Sequence, residues 1–373
     1  MLRRLGAWAA ASLAAPALLA QEQRGRIVLG QSAALTGAAA QLGLQFQAGA
    51  RLMFARTNSR GGINGRSIEL ISLDDGYEPD RCASNTRKLL DDGVAALFGY
   101  IGTPTALAAL PLASAAHVPF VAPFTGAQAL REPFNRYAFH VRASYFDETA
   151  RIVNQLTSVS MKNIGVFHQN DSYGAAGLAG VVRALEAQKS RPVVTATVER
   201  NSTDVAAAVK AIVAARPEAV VQISAYKSCA AFVREARKAG YGGQFYNVSF
   251  VGTAALAKEL GPEARGVVVS QVMPYPFAPM TAVTGEFLAA ATGANVDINY
   301  SSMEGFVAAK TMVEALRRAG PAAAAGGEGL VQALESLRDF NLGGFYVDFS
   351  PTKHMGSNFV ELTILSAEGH VRR

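Results

Sequence analysis

The chain has 373 residues, half of them hydrophobic and 17% charged, which excludes a disordered polypeptide and suits about two globular domains with a sizeable core. Its formal charge of +6, from 35 basic and 29 acidic residues, is spread without Lys/Arg runs or aromatic–basic interleaving, so nucleic acid is not an expected partner. Two cysteines far apart in the sequence, Cys82 and Cys229, exclude a disulfide scaffold and are expected as buried free thiols.

The amino terminus, MLRRLGAWAAASLAAPALLA, sets Arg3 and Arg4 before an apolar run from Leu5 to Ala20 that ends in small residues. This is the pattern of a secretory signal peptide, with cleavage expected near Ala20. Pro16 breaks the run, and no later segment reaches the roughly 18 uninterrupted apolar residues of a membrane span. The first cysteine is Cys82, so a lipid anchor at the new amino terminus is not expected. The mature protein is expected to be soluble and released into a periplasm.

Arg26 to Ala34 reads as a first strand, followed by a glycine-bearing loop and an amphipathic helix from Gln45 to about Asn58. Ser67 to Asp74 is a second strand, and the sequence ISLDDGYEP leads into a helix over Pro79 to Asp91. Val94 to Phe98 is a third. Thr103-Pro104 then supplies an N-cap hydroxyl followed by proline at the first helical position, predicting a helix from Thr103. Val118 to Ala122 is a strand that stops at Pro123, and the turn Phe124-Thr125-Gly126 leaves it on the same side of the sheet as Gly102-Thr103. Such βαβα order with near-continuous apolar strands argues a parallel sheet covered on both faces. Ligands lie outside the carboxyl ends of parallel strands, and a helix N-terminus offers free N–H groups to an anion. A small carboxylate is therefore expected between these two loops.

Phe134 to Ala143 reads as a connecting strand, after which the pattern restarts. Helices at 147–160, 173–188, 203–215, 226–239 and 253–260 alternate with strands at 163–169, 193–199, 219–224, 244–248 and 266–271. Gly240 and Gly261 are read as helix C-caps. The proline-rich stretch Met273 to Pro279 cannot continue a central strand and reads as a crossing between halves. Helices at 280–292, 301–319 and 329–338, a small-residue loop from Gly320 to Gly327, and strands at 343–350 and 358–365 complete the chain. Enzyme chemistry is not indicated. The Gly-x-Ser-x-Gly turn is absent, and the five histidines show no metal-ligand spacing. No catalytic residue, metal or cofactor is expected.

The run Gly61-Gly62-Ile63-Asn64-Gly65 followed by IELISLDDGYEP, the FGYIGTPT and APFTG turns, HQNDSYGAAG, and the segment Ala236 to Gly242 with its preceding helix form a combination. Together they resemble the type I periplasmic solute-binding proteins, within them the leucine/isoleucine/valine-binding branch that serves ABC importers, from about Arg26 to the carboxyl terminus. The resemblance implies two doubly wound, Rossmann-like α/β lobes joined by three crossover segments. It implies an N-terminal lobe of 26–142 and 276–342 and a C-terminal lobe of 143–275 and 343–373. It further implies a monomeric receptor without a cofactor, which captures a small carboxylate or amino acid by hinge closure and hands it to an ABC permease in the inner membrane.

The first-lobe contacts so implied are Thr103, Thr105, Phe124 and Thr125; from the second lobe Tyr173 and Tyr226 stand at strand-to-helix turns. Amino-acid binders of this branch carry an acid for the ligand's ammonium in the turn after the strand at 244–248. Here that turn reads Ser249-Phe250, and Leu42 replaces an expected cleft tyrosine. A buried ammonium needs a counter-charge. Either another acid, such as Asp147 or Glu304, reaches the site, or the ligand lacks an α-amino group. A branched-chain or other hydrophobic amino acid, an aromatic or aliphatic carboxylate and a short amide all stay open, as does a sensor in place of a transport receptor.

Overall fold

The computed structural model describes residues 25–321 and 327–373; the expected signal peptide and most of the small-residue loop at 320–327 lie outside these residues. Two sheets organise the chain. The first holds five parallel strands, β1 (Arg26–Ala33), β2 (Ser67–Asp74), β3 (Ala96–Phe98), β4 (Phe120–Val121) and β5 (Ala138–Phe139), in the order β2-β1-β3-β4-β5. The apolar run of β1 places it inside, paired on both sides, whereas β2 mixes buried and partly exposed positions as an edge strand does. The connecting strand expected over 134–143 is present only as the two residues of β5: Ala138 and Phe139 are buried and pair with Phe120 and Val121.

The second sheet runs β14-β13-β10-β9-β8-β6-β7. Its strands β6 (Ile164–Gln169), β7 (Val194–Val198), β8 (Ala219–Ile223), β9 (Gln244–Asn247) and β10 (Val268–Gln271) are parallel, while β13 (Glu361–Leu365) and β14 (Val371–Arg372) add antiparallel at one edge. Both sheets thus place their first strand between the second and third. The loops leaving the two central strands of each sheet diverge there and open a crevice.

Helices α1 (Ala40–Asn58), α2 (Pro79–Asp91) and α3 (Thr103–Ala115) belong to the first sheet; α4 (Tyr145–Ser158), α5 (Ser172–Glu186), α6 (Ala206–Ala215), α7 (Tyr226–Lys238) and α8 (Thr253–Leu260) belong to the second. Helices α9 (Ala282–Ala294), α10 (Tyr300–Ala319) and α11 (Gly327–Glu335) return to the first layer, where α10 lies along α1 and α11 along α10. The chain therefore crosses between layers three times, after Phe139, after Gln271 and before Glu361. Among the described residues no helix is long and apolar enough to cross a membrane.

The stretch 343–350, expected as a strand, forms only the two residues of β12 (Tyr346–Val347), paired with β11 (Phe340–Asn341). Gly343 and Gly344, both at positive φ, break it on one side and Pro351 on the other. The turn that follows docks on β5: the His354 ring stacks on Phe139 at 3.8 Å, and Gly356 donates its N–H to the His140 carbonyl at 2.7 Å.

Glycine sets the distance between α1 and α10. A Cβ at Gly49 would stand 1.8 Å from the Ser302 carbonyl oxygen, and one at Gly305 would stand 2.0 Å from that of Phe46. Backbone meets backbone at both points, so no side chain can rotate away. Gly305→Ala is expected to lower stability by about 1–3 kcal/mol, the usual cost of overpacking, read from the urea midpoint; an unchanged midpoint would mean that the helices sit farther apart.

Candidate ligand cleft

The carboxyl ends of both sheets face each other. Tyr77, in the loop after β2, meets Phe250 beyond β9 with ring centroids 5.9 Å apart, and Gln169 at the end of β6 donates to the Tyr77 hydroxyl at 3.4 Å. Farther out, Arg200 and Asn201 each donate to Glu78 at 2.8 Å. Leu42 on α1 reaches across to Gly252, where a Cβ would lie 2.4 Å from its Cδ2.

The two adjacent aspartates of LDDGYEP build one wall. Asp74 accepts from the Leu35, Thr36 and Gly76 N–H groups and from the Thr36 hydroxyl, tying the loop after β1 to the loop after β2. Burial alone would raise its pKa, but these donors prevail and hold it at about 2. Asp75 is more deeply placed, and burial lifts it to about 6 against hydrogen bonds from the Ser32 hydroxyl and the Tyr77 N–H. The second bond holds Tyr77 at φ +67°, in the left-handed region that a tyrosine occupies at a cost. The strained backbone turns its ring into the cleft. Gly102, at φ +98°, completes the fit, because a Cβ there would stand 2.2 Å from that ring.

Beyond Gly102, α3 begins, and its first-turn N–H groups have no intrahelical carbonyl to serve them. Thr103 is its first residue and Gly102 its N-cap, without a side-chain cap, which corrects the expected role of the Thr103 hydroxyl. That hydroxyl instead lies 2.7 Å from the Thr125 hydroxyl, which also lies 3.3 Å from the Tyr145 hydroxyl and accepts from the Ala127 N–H. Thr105 is not part of this group: its hydroxyl donates to the Ile101 and Gly102 carbonyls of its own turn. Phe124, Phe250, Tyr173 and Tyr145 form the adjoining aromatic wall, with Phe124–Phe250 at 5.6 Å, Phe250–Tyr173 at 4.7 Å and Tyr173–Tyr145 at 5.4 Å. Asp171 caps α5 and orients Tyr173, whose buried hydroxyl has no partner among the described residues. Tyr226 opens α7 apart from this wall, beside the Gln41 backbone.

At the base of the cleft lies Arg142, on the first crossing and 1% exposed. Its Nη2 donates to the Ser249 hydroxyl and to Glu148, its Nη1 stands 3.5 Å from Glu304, and its guanidinium lies 4.9 Å from the centre of the Phe124 ring. Glu148 on α4 also accepts from the Ser249 N–H at 2.7 Å and the Ser270 hydroxyl at 2.6 Å. Burial opposes the charge on Arg142, but Glu304 and Glu148 raise its pKa overall. Asp147 does not enter the cleft. It forms a capping box with Ser144 at the start of α4.

The structure thus brings Leu42, Thr103, Phe124, Thr125, Tyr173, Ser249 and Phe250 to the facing walls. Tyr77, Tyr145, Arg142 and Glu148 were not singled out in the sequence, although an arginine in the otherwise apolar HVRAS and a tyrosine directly after DDG were visible signals. Among the described residues no three His, Cys, Asp or Glu side chains cluster to hold a metal ion.

Two sheets of this strand order, facing across a cleft and joined by three crossings, define the type I periplasmic binding fold. A family model described as periplasmic binding protein matches residues 26–366, and the chain belongs to that family. It is 32% identical to a possible leucine/isoleucine/valine-binding protein from Rhodopirellula baltica, whose crystal structure superposes with a TM-score of 0.87 over 94% of this chain and 97% of that one. A substrate-binding periplasmic protein from Ralstonia solanacearum is 34% identical with a TM-score of 0.87, over 92% of this chain and 99% of that one. An amino acid binding protein from Pseudomonas aeruginosa is 27% identical over 249 residues, 65% of this chain; the match spans 66% of that protein, just under two thirds of its length.

Burial raises the Glu304 carboxyl to about 7, with Arg142 pulling it back. A carboxyl held higher in the folded than in the unfolded chain stabilises fully below its unfolded value, and that contribution is lost as the pH rises through the folded value. Glu304→Gln is therefore expected to gain on the parent protein between about pH 5 and about pH 8, by up to roughly 3 kcal/mol, seen as a widening gap in urea midpoints. A gap that stays constant over that range would show that the carboxyl titrates normally.

Proposed function

We propose that this protein is the periplasmic receptor of an ABC importer, which captures a small carboxylate, a hydrophobic amino acid in the first instance, between two lobes that close about their crossings. The observation that carries this reading is the Thr103–Thr125 hydroxyl pair at the start of α3, opposite an aromatic wall supplied by both layers. Hydroxyls and helix N–H groups stabilise an anion without burying a cation that needs pairing of its own. The aromatic wall suits an apolar side chain. The names of the Rhodopirellula and Pseudomonas relatives, a possible leucine/isoleucine/valine-binding protein and an amino acid binding protein, point to the same ligand class.

Lobes of 26–142 with 276–342, and of 143–275 with 343–373, are the working division, with 343–357 lying against the edge of the first sheet. Ligand favours the closed form only through contacts better made there, and walls drawn from both lobes supply such contacts. No bond is made or broken in this function.

Mass action requires a true ligand to raise the thermal midpoint as its concentration passes Kd. A panel of amino acids and simple carboxylates is expected to contain at least one that does so, and Thr103→Val to weaken it about 10-fold or more while leaving the unliganded midpoint in place. Equal affinity in the variant would remove Thr103 from the site, and a panel without a hit would remove the receptor reading.

A further inference from the structure

The loop after β7 reaches across the mouth of the cleft and takes hold of Glu78, the residue before α2. Arg200 Nη2 donates to Glu78 Oε2 and Asn201 Nδ2 to Glu78 Oε1, each at 2.8 Å. Among the described residues, both donors to this carboxylate therefore come from the second layer, although Glu78 is the N-cap of a first-layer helix. Its side chain makes no cap bond to α2. The reaching loop is itself held at both ends by its own layer: Asn170 donates to Glu199 at 2.6 Å, and the Ser228 hydroxyl of α7 donates to the Ser202 carbonyl at 2.6 Å. Between those anchors Asn201 stands at φ +61°, a left-handed conformation that asparagine tolerates better than most residues.

The contact does not end at the mouth. Arg200 Nη1 stands 3.6 Å from Asp171, the cap of α5, which also accepts from Gln169 at 2.7 Å; Gln169 in turn reaches the Tyr77 hydroxyl. Tyr77 is the chain neighbour of Glu78, so a closed ring of side chains crosses the gap twice, once at the mouth and once beside the aromatic wall. We propose that Glu78 is a positioning residue of the closed form: with Arg200 and Asn201 it latches the two layers, so that the latch, and not only the guest, sets how long the cleft stays shut. The inference rests on the closure invoked in the receptor reading above, not on the ligand named there. Separating the layers leaves Arg200 its Asp171 but strips Glu78 of both donors, so the pairing favours the closed form alone. With Glu78 44% and Arg200 26% exposed, the pair contributes modestly and is screened by salt, which suits a latch that must also open.

The test is the distance between spin labels attached through Ser84→Cys on α2 and Ala207→Cys on α6, two exposed positions on opposite layers; the native Cys82 and Cys229 are buried. With no ligand added, the full mature chain is expected to show a short and a long distance, and Glu78→Ala to lower the short-to-long ratio about 3- to 10-fold. Raising the salt from about 0.05 M to about 0.5 M is expected to lower the ratio in the parent protein and to leave it unchanged in Glu78→Ala, which a purely structural role for Glu78 would not produce. Arg200→Ala reports on the same contact from the other layer and decides if Glu78→Ala folds poorly.

For leucine, or failing that the tightest binder among the standard amino acids and simple carboxylates, Glu78→Ala is expected to raise the off-rate by the same factor and to leave the on-rate within about 2-fold. A parent protein with the long distance alone, or a ratio that neither variant moves, overturns the inference and leaves the receptor reading standing, as does a change confined to the on-rate. A panel in which nothing binds overturns the receptor reading, and the distance ratio still decides this one.

Discussion

A guanidinium closed off from water must find its counter-charges inside the protein, and Arg142 draws on both layers: Glu148 of α4 on one side and Glu304 of α10 on the other. Much of the site follows from that requirement. Glu148 can serve Arg142 only by also gathering Ser249 and Ser270, and in doing so it pins the turn that aims Phe250 at the facing layer. The cation lies over the Phe124 ring, which fixes the aromatic next to Thr125. Such a buried network is weak evidence for stability, since its desolvation is expensive. Its value here is geometric, because it joins the first crossing to both walls of the cleft.

With that charge answered internally, the end of the cleft proposed for the carboxylate is built from neutral dipoles. Thr103 and Thr125 come together because the loops after β3 and β4 leave the same edge of the sheet, and the helix that follows Gly102 turns its N–H groups the same way. The close approach of Tyr77 to Gly102 links this end to the DDG turn, whose shape Asp74 and Asp75 fix through their hydrogen bonds to the Gly76 and Tyr77 N–H groups. A hydroxyl pair on one side and an aromatic wall on the other thus arise from the same parallel-sheet topology.

Alternating strands and helices were legible because each apolar run is long enough to show, as in β1, β2, α2 and α8. What the sequence concealed depended on partners remote in the chain. The strand read over 134–143 narrows to Ala138 and Phe139, because only these two residues find partners, in Phe120 and Val121. The pattern of 343–350 resembles a strand until the two glycines and the docking of His354 on Phe139 are seen. Thr103 and Thr125 were legible as turn residues at strand ends, but the helix takes Gly102 as its N-cap, which leaves the Thr103 hydroxyl free to meet that of Thr125. Arg142 stood out in the sequence as a lone charge in HVRAS, but such a charge declares its partners only in three dimensions, and nothing in the sequence tied it to Glu148.

A crystal structure of the protein with its tightest-binding carboxylate tests most directly where the ligand's carboxylate sits. The expected result is a carboxylate within hydrogen-bond distance of the Thr103 and Thr125 hydroxyls, with Arg142 still paired to Glu148. A carboxylate bound to Arg142 with Glu148 displaced, or a ligand held outside the cleft altogether, would contradict it.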